Sequence, residues 1–163
     1  MLVWRLALGR YPALDGEGAR LYGGRWNSPG TPMVYAATGI ALALLEQLVH
    51  VSPARLPASF RAFVIALPDD VEVEPVALDF AVDDLEATRH AGDAWAASLR
   101  SAALIVPSVI VPAILDPGRI STTERNVLLN PRHPSAAAWQ SVETSFRVDP
   151  RLRQAGERVQ SGL

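Results

Sequence analysis

Tyr22-Gly23-Gly24-Arg25-Trp26-Asn27-Ser28-Pro29-Gly30 is the stretch on which the reading of this chain turns. It sets an arginine directly after a glycine pair and before an aromatic residue. A glycine pair lets backbone come close to a ligand. Arginine offers a planar fork that matches phosphate or carboxylate. Ten residues on stands Tyr35, whose ring can stack on a flat partner. Eleven further, Glu46 lies inside a strongly apolar run and is the only carboxylate between Glu17 and Asp69. Together they predict a pocket for a ligand that carries a phosphate and an aromatic base.

The elements around that stretch are short. Residues 2–8 read as a strand containing Val3, Trp4 and Leu6, and residues 9–24 as a long connection with the turn signal Asp15-Gly16. Residues 24–27 and 33–36 read as two further short strands, separated by the turn Ser28-Pro29-Gly30. Thr38 has the character of an N-cap for a helix over residues 39–50. On that helix Ile40, Leu44 and Leu48 form one apolar row, with Glu46 at its rim. Proline pairs at Ser52-Pro53 and Leu56-Pro57 close the unit. Downstream, residues 60–67 read as a strand and 71–76 as a half-exposed edge strand. Residues 83–101 read as a second helix that buries Leu85, Ala91, Trp95 and Leu99. Residues 104–106 and 109–111 are β-branched runs about Pro107-Ser108, expected to form a bent or edge strand. Asp116-Pro117-Gly118 is a turn, residues 124–129 are ambiguous, and residues 144–148 read as a last strand. Several short strands interrupted by two main helices predict an α+β domain.

Composition bounds the function. The chain has 163 residues, 49% of them apolar and 20% charged, which suits one domain with a filled core. A net charge of −2 argues against a generic nucleic-acid binder, which needs a basic face, though a small basic pocket is compatible with it. There is no cysteine, so no disulfide framework, thiolate metal site or thiol nucleophile. His50, His90 and His133 are too far apart for a close-spaced metal motif, and no metal is expected. The longest apolar run, residues 40–45, is far short of the about 20 residues that cross a bilayer. No targeting pattern stands out, and a cytoplasmic location is the expectation.

Each candidate residue has two readings at this level. Arg25 either binds an anion or sits in a solvated salt bridge. Arg5, between Trp4 and Leu6, faces inward and needs a partner, or faces out. Tyr35 stacks on a ligand, or is a core aromatic with its hydroxyl satisfied. Glu46 is a half-buried functional carboxylate or a solvated helix residue. Ser108 lacks a nucleophile-elbow pattern, so hydrogen bonding suits it better than nucleophilic attack. Asn126, Asn130, Arg132 and His133 form a polar group near a turn, and Glu124 is a second, weaker carboxylate candidate.

The motifs taken in order resemble one family. They are WRL at residues 4–6, GARLYGGRWNSPG at 18–30, VYAA at 34–37, ALALLEQLVH at 41–50, VPSVIVP at 106–112 and ERNVLLNPRHP at 124–134. This succession is similar to that of RES-domain toxins, the toxin half of the RES–Xre bacterial toxin–antitoxin systems. The resemblance covers residues 3–148, within a domain at 1–150 followed by a polar tail at 151–163. The arginine, glutamate and serine that name the family fall on Arg25, Glu46 and Ser108, and Tyr35 takes the place of its active-site tyrosine.

The resemblance implies a fold like that of ADP-ribosyltransferase toxins, with short mixed strands around an NAD cleft. It implies NAD+ as substrate, cleaved at the nicotinamide–ribose bond by hydrolysis or by phosphorolysis with inorganic phosphate, and no separate cofactor. The catalytic set would be Glu46, Arg25, Tyr35 and Ser108. The ligand would be held by Arg5, Gly24, Arg25, Tyr35 and Asn126. The implied partner is an Xre-type helix-turn-helix antitoxin that covers the cleft and supplies the DNA contact, with a homo-oligomer or a hetero-oligomer with the antitoxin as the expected assembly. A protein ADP-ribosyltransferase and a non-catalytic nucleotide-binding module remain as alternatives.

Overall fold

Strand β1 (Leu2–Leu8) sends Val3 and Leu6 to opposite faces, and this alternation organises the molecule. The computed structural model describes residues 1–8, 12–49, 60–111, 124–144, 146, 147, 149 and 151. His50, the 52–57 proline pairs, the 116–118 turn and the 152–163 tail lie outside the described residues.

The remaining elements are α1 (Glu17–Tyr22), β2 (Val34–Ala37), α2 (Ile40–Leu48), β3 (Phe60–Ala66), β4 (Val73–Pro75), α3 (Leu85–Ser98), β5 (Ala103–Val106), β6 (Asn126–Leu129) and β7 (Gln140–Thr144), with a 3-10 turn at Pro134–Ala138. The strands make one seven-stranded sheet in the order β4-β5-β6-β2-β1-β3-β7. Only β4 and β5 run parallel, the two being joined through α3. β1 and β3 pair without interruption from Leu2↔Ala66 to Leu8↔Phe60, so the side chains of residues 2–7 keep their faces.

One face is sealed by Val3, Val34, Ala36, Ile65, Val127 and Leu129, covered by Leu67, Leu14 and Trp139. Two separate clusters share the other face. One joins Leu6, Ala37 and Ala62 to Leu42 and Ala43 of α2. The second joins Leu104, Val106 and Leu128 to Trp95 and Ala96 of α3, with Trp26 and Met33. On β6, Asn126 has Ala37 of the first cluster as one register partner and Val106 of the second as the other. A polar side chain therefore stands at the seam between two apolar patches.

The α+β class and the two main helices are as expected from the sequence, and α1 is an additional short helix within the 9–24 connection. Residues 24–27 are not a strand. The Asn27 amide donates to the carbonyls of Ala19, Ser28 and Thr31 and winds this segment into a loop. Thr38 does not cap α2. Gly39 is the N-cap, while the Thr38 Oγ1 accepts the Arg125 N–H at 2.9 Å and the Thr38 N–H donates to the Arg125 carbonyl. The true cap signal lay on α3, where Asp84 accepts the N–H groups of Glu86 and Ala87.

That helix buries Thr88, Gly92, Trp95 and Ala96, while Leu85 and Leu99 are 44% and 43% exposed. At Gly92 the buried face needs the smallest residue because α3 lies so close to the 24–28 loop there. A Cβ on Gly92 would strike the Trp26 carbonyl oxygen. β5 is an interior strand rather than an edge, residues 109–111 are not strand, and the last strand begins at Gln140 rather than at 144. The ambiguous 124–129 segment supplies an interior strand, β6.

Candidate active site

Glu46 is the centre of a three-residue cluster assembled from α2, β6 and the segment after β5. The Ser108 Oγ donates to Glu46 Oε1 at 2.7 Å, and the Asn126 Nδ2 donates to the same oxygen at 2.6 Å. The Ser108 hydroxyl also accepts the N–H groups of Ile110 and Val111 at 3.1 and 3.0 Å. A hydroxyl has one proton and two lone pairs. With both lone pairs engaged, the proton points at Glu46. Ser108 is 4% exposed and serves as a buried hydrogen-bond donor to the carboxylate. Among the described residues, Glu46 Oε2 has no partner.

The arginine end is built differently. Arg25 donates from Nη1 to the Val82 carbonyl at 3.0 Å, and its Nε and Nη2 have no partner among the described residues. The loop around it is fixed from three sides. Tyr35 reaches up from β2, donating to Asn27 Oδ1 at 2.7 Å and accepting the Trp26 N–H at 3.0 Å. Arg89 of α3 donates from Nε to the Gly24 carbonyl at 2.9 Å, and Asp93 one turn on accepts the Ser28 N–H. Trp26 packs on Phe80 with tilted rings, centroids 6.4 Å apart.

Three expected ligand contacts are engaged within the protein. The Gly24 N–H donates to the Asn27 carbonyl and its own carbonyl accepts from Arg89, so its backbone groups are both occupied. Its lack of a side chain serves Tyr35: a Cβ at Gly24 would collide with the tyrosine hydroxyl. Tyr35 uses its hydroxyl as a strut for the Arg25 loop, and its ring packs against the α3 cluster. Burial pushes its phenol well above the ordinary tyrosine range. Asn126 likewise holds Glu46.

Arg5 stands apart from the Glu46 cluster. The unbroken β1–β3 ladder places it on the Val3 face, opposite Trp4 and Leu6. Its Nη1 lies 3.5 Å from the Tyr35 carbonyl, a marginal contact, and its Nε is buried without a partner. Burial lowers its guanidinium pKa, partly offset by Asp15.

Sequence reasoning overlooked Asn27, Arg89 and Asp93. Asn27 is fully buried, and its place inside the decisive motif was the available signal. Arg89 and Asp93 are four apart on α3, a spacing common on solvated helix faces that gives no sign of a loop contact. Among the described residues no cluster of metal-ligating side chains occurs, and no helix is long and apolar enough to cross a membrane.

The site therefore belongs to a mixed-sheet α+β protein in which a half-buried carboxylate and a loop-borne arginine are held by separate networks. A family model described as the RES domain matches residues 2–151, and the chain belongs to the RES-domain family. It is 36% identical to a protein of Yersinia enterocolitica named Toxin Res, covering 94% of this chain and 100% of that one. It is 40% identical to a Sphingobium protein named Prs ADP-ribosylating toxin, covering 91% and 94%. A solved structure, the Mycobacterium tuberculosis MbcT–MbcA toxin–antitoxin complex, contains a chain of similar fold, with a TM-score of 0.61 at 20% identity over 96% of this chain and 88% of that one.

Proposed function

We propose that this protein is the toxin of a toxin–antitoxin pair and cleaves the nicotinamide–ribose bond of NAD+. One observation carries the chemistry: Glu46 is locked through a single oxygen and, among the described residues, its other oxygen has no partner. Cleaving this bond returns its electron pair to the pyridinium nitrogen and releases neutral nicotinamide. The ribose carbon develops oxocarbenium character, as in glycoside hydrolysis. A fixed carboxylate stabilises that positive charge, directly or through a ribose hydroxyl bonded to Oε2. The Arg25 Nε and Nη2, which have no partner among the described residues, suit the pyrophosphate. Water capture yields ADP-ribose and a proton. Capture by inorganic phosphate yields a phosphorylated ADP-ribose.

A second reading is transfer of ADP-ribose to a protein, favoured by the name of the Sphingobium relative. The partner in either case is an antitoxin of the Xre helix-turn-helix type seated over the cleft. That assignment is supported by the sequence resemblance and by a structural neighbour solved as a toxin–antitoxin complex. A chain of net charge −2 leaves DNA contact to that partner.

The test is a proton-NMR time course of the purified protein with NAD+, with and without phosphate, beside Glu46→Gln. Free nicotinamide that depends on Glu46 supports the reading, and the co-product distinguishes water from phosphate. Intact NAD+ over hours, with a ligand-dependent rise in melting temperature, would replace the enzyme by a binding module.

A further inference from the structure

We propose that Asn126 is a positioning residue that commits Glu46 to act through one oxygen, Oε2. The proposal rests on the NAD+-cleaving reading of this site and adds to it how the carboxylate is aimed.

Both donors on Glu46 converge on Oε1. Neither leaves that oxygen free to carry a proton. The Ser108 hydroxyl must donate because its lone pairs hold Ile110 and Val111, and an amide nitrogen only donates. Oε1 is thus an acceptor twice over. Any hydrogen bond from a substrate hydroxyl, or any proton Glu46 takes up, falls to Oε2. With one donor removed the carboxylate regains freedom to rotate and to exchange its two oxygens. With both in place it is held against rotation before substrate arrives, as a preorganised site requires.

Asn126 is itself held from outside the site. It opens β6 between Ala37 and Val106 in register. The residue before it, Arg125, exchanges N–H and carbonyl bonds with Thr38, at 2.9 Å each. Thr38 is one residue from the Gly39 cap of α2. The strand that bears the donor and the helix that bears the acceptor therefore start from one clamp. This explains why Thr38 fastens β6 instead of capping the helix.

The experiment compares Asn126→Ala and the isosteric Asn126→Asp with the unaltered protein by steady-state NAD+ cleavage, and reads the Asn126 side-chain amide by 15N–1H NMR. Asn126→Ala should lower kcat about tenfold with KM for NAD+ within twofold, the loss of one charge-assisted bond made to a catalytic group. Asn126→Asp keeps the shape but sets a carboxylate against Oε1, and should lose more activity than Asn126→Ala, with a lowered melting temperature from the like-charge contact. In the NMR spectrum, Glu46→Ala should shift the Asn126 amide protons upfield and speed their exchange. A tenfold rise in KM with kcat intact would overturn the proposal, because Asn126 would then contact substrate. So would an Asn126→Asp protein as active as the unaltered one, or an amide resonance indifferent to Glu46→Ala. An unaltered protein that leaves NAD+ intact overturns the proposed function alone, since the amide resonance still reads the Asn126–Glu46 bond.

Discussion

The two ends of the site are held by opposite strategies. Glu46 is fixed through its own functional group, by two side chains that grip one carboxylate oxygen. Arg25 is fixed chiefly through its backbone, by a loop pinned through Asn27, Tyr35, Arg89 and Asp93, while its guanidinium keeps one tether to Val82. The difference follows from chemistry. A carboxylate has two equivalent oxygens, and choosing between them requires donors placed on one. A guanidinium spreads its charge over three nitrogens and can spend one on the protein while two stay open. The carboxylate end is thus built for direction and the arginine end for reach.

The largest expected effect tests the carboxylate end. Glu46→Gln should reduce NAD+ cleavage by about a hundredfold or more with the melting temperature little changed, the size seen when a preorganised electrostatic group is removed. A folded Glu46→Gln protein with full activity would remove the carboxylate from the chemistry. At the other end, Arg25→Ala should weaken NAD+ binding by roughly ten- to a hundredfold, as for loss of charged hydrogen bonds of about 1.5–3 kcal/mol. Calorimetry in a Glu46→Gln background reads that affinity without turnover. Unchanged affinity would take the anion contact away from Arg25.

Two further changes act on the loop rather than on its arginine. Gly92→Ala drives a methyl group into the Trp26 carbonyl and should destabilise the protein by about 3 kcal/mol in a urea titration. No loss of stability would mean that α3 does not press on the loop. Tyr35→Phe leaves the Trp26 N–H and Asn27 Oδ1 short of a partner and should cost about 1–2 kcal/mol, with NAD+ affinity falling more than kcat.

The same tyrosine sets a pH dependence. Its folded-state pKa is raised by burial, so the unfolded chain releases this proton first, near pH ~10. The stability it contributes is whole below that pH and is lost as pH rises toward the folded value, by at most about 1.4 kcal/mol per pH unit. Tyr35→Phe should flatten that alkaline decline, measured as urea midpoints between neutral and alkaline pH.

What the sequence determined by itself was the cast and the class. Hydrophobic alternation and the 3.6 period located β1, α2, β3 and α3 to within a few residues, because those signals are local. The order of motifs gave the family, and with it Arg25, Tyr35, Glu46 and Ser108 as the residues to watch. Tertiary structure decided who touches whom. Ser108 and Asn126 are 62 and 80 residues from Glu46 in the chain and meet it only because Asn126 falls at the seam between Ala37 and Val106. Gly24 and Tyr35, read as ligand contacts, proved to be each other's neighbours, since a glycine that admits a ligand and one that admits a tyrosine hydroxyl look alike in sequence. Thr38 read as a cap and became a clamp, because a hydroxyl accepts whichever N–H the fold brings to it. Residue type and local period are written along the chain, whereas the pairing of hydrogen-bonding groups depends on the register of strands far apart in it.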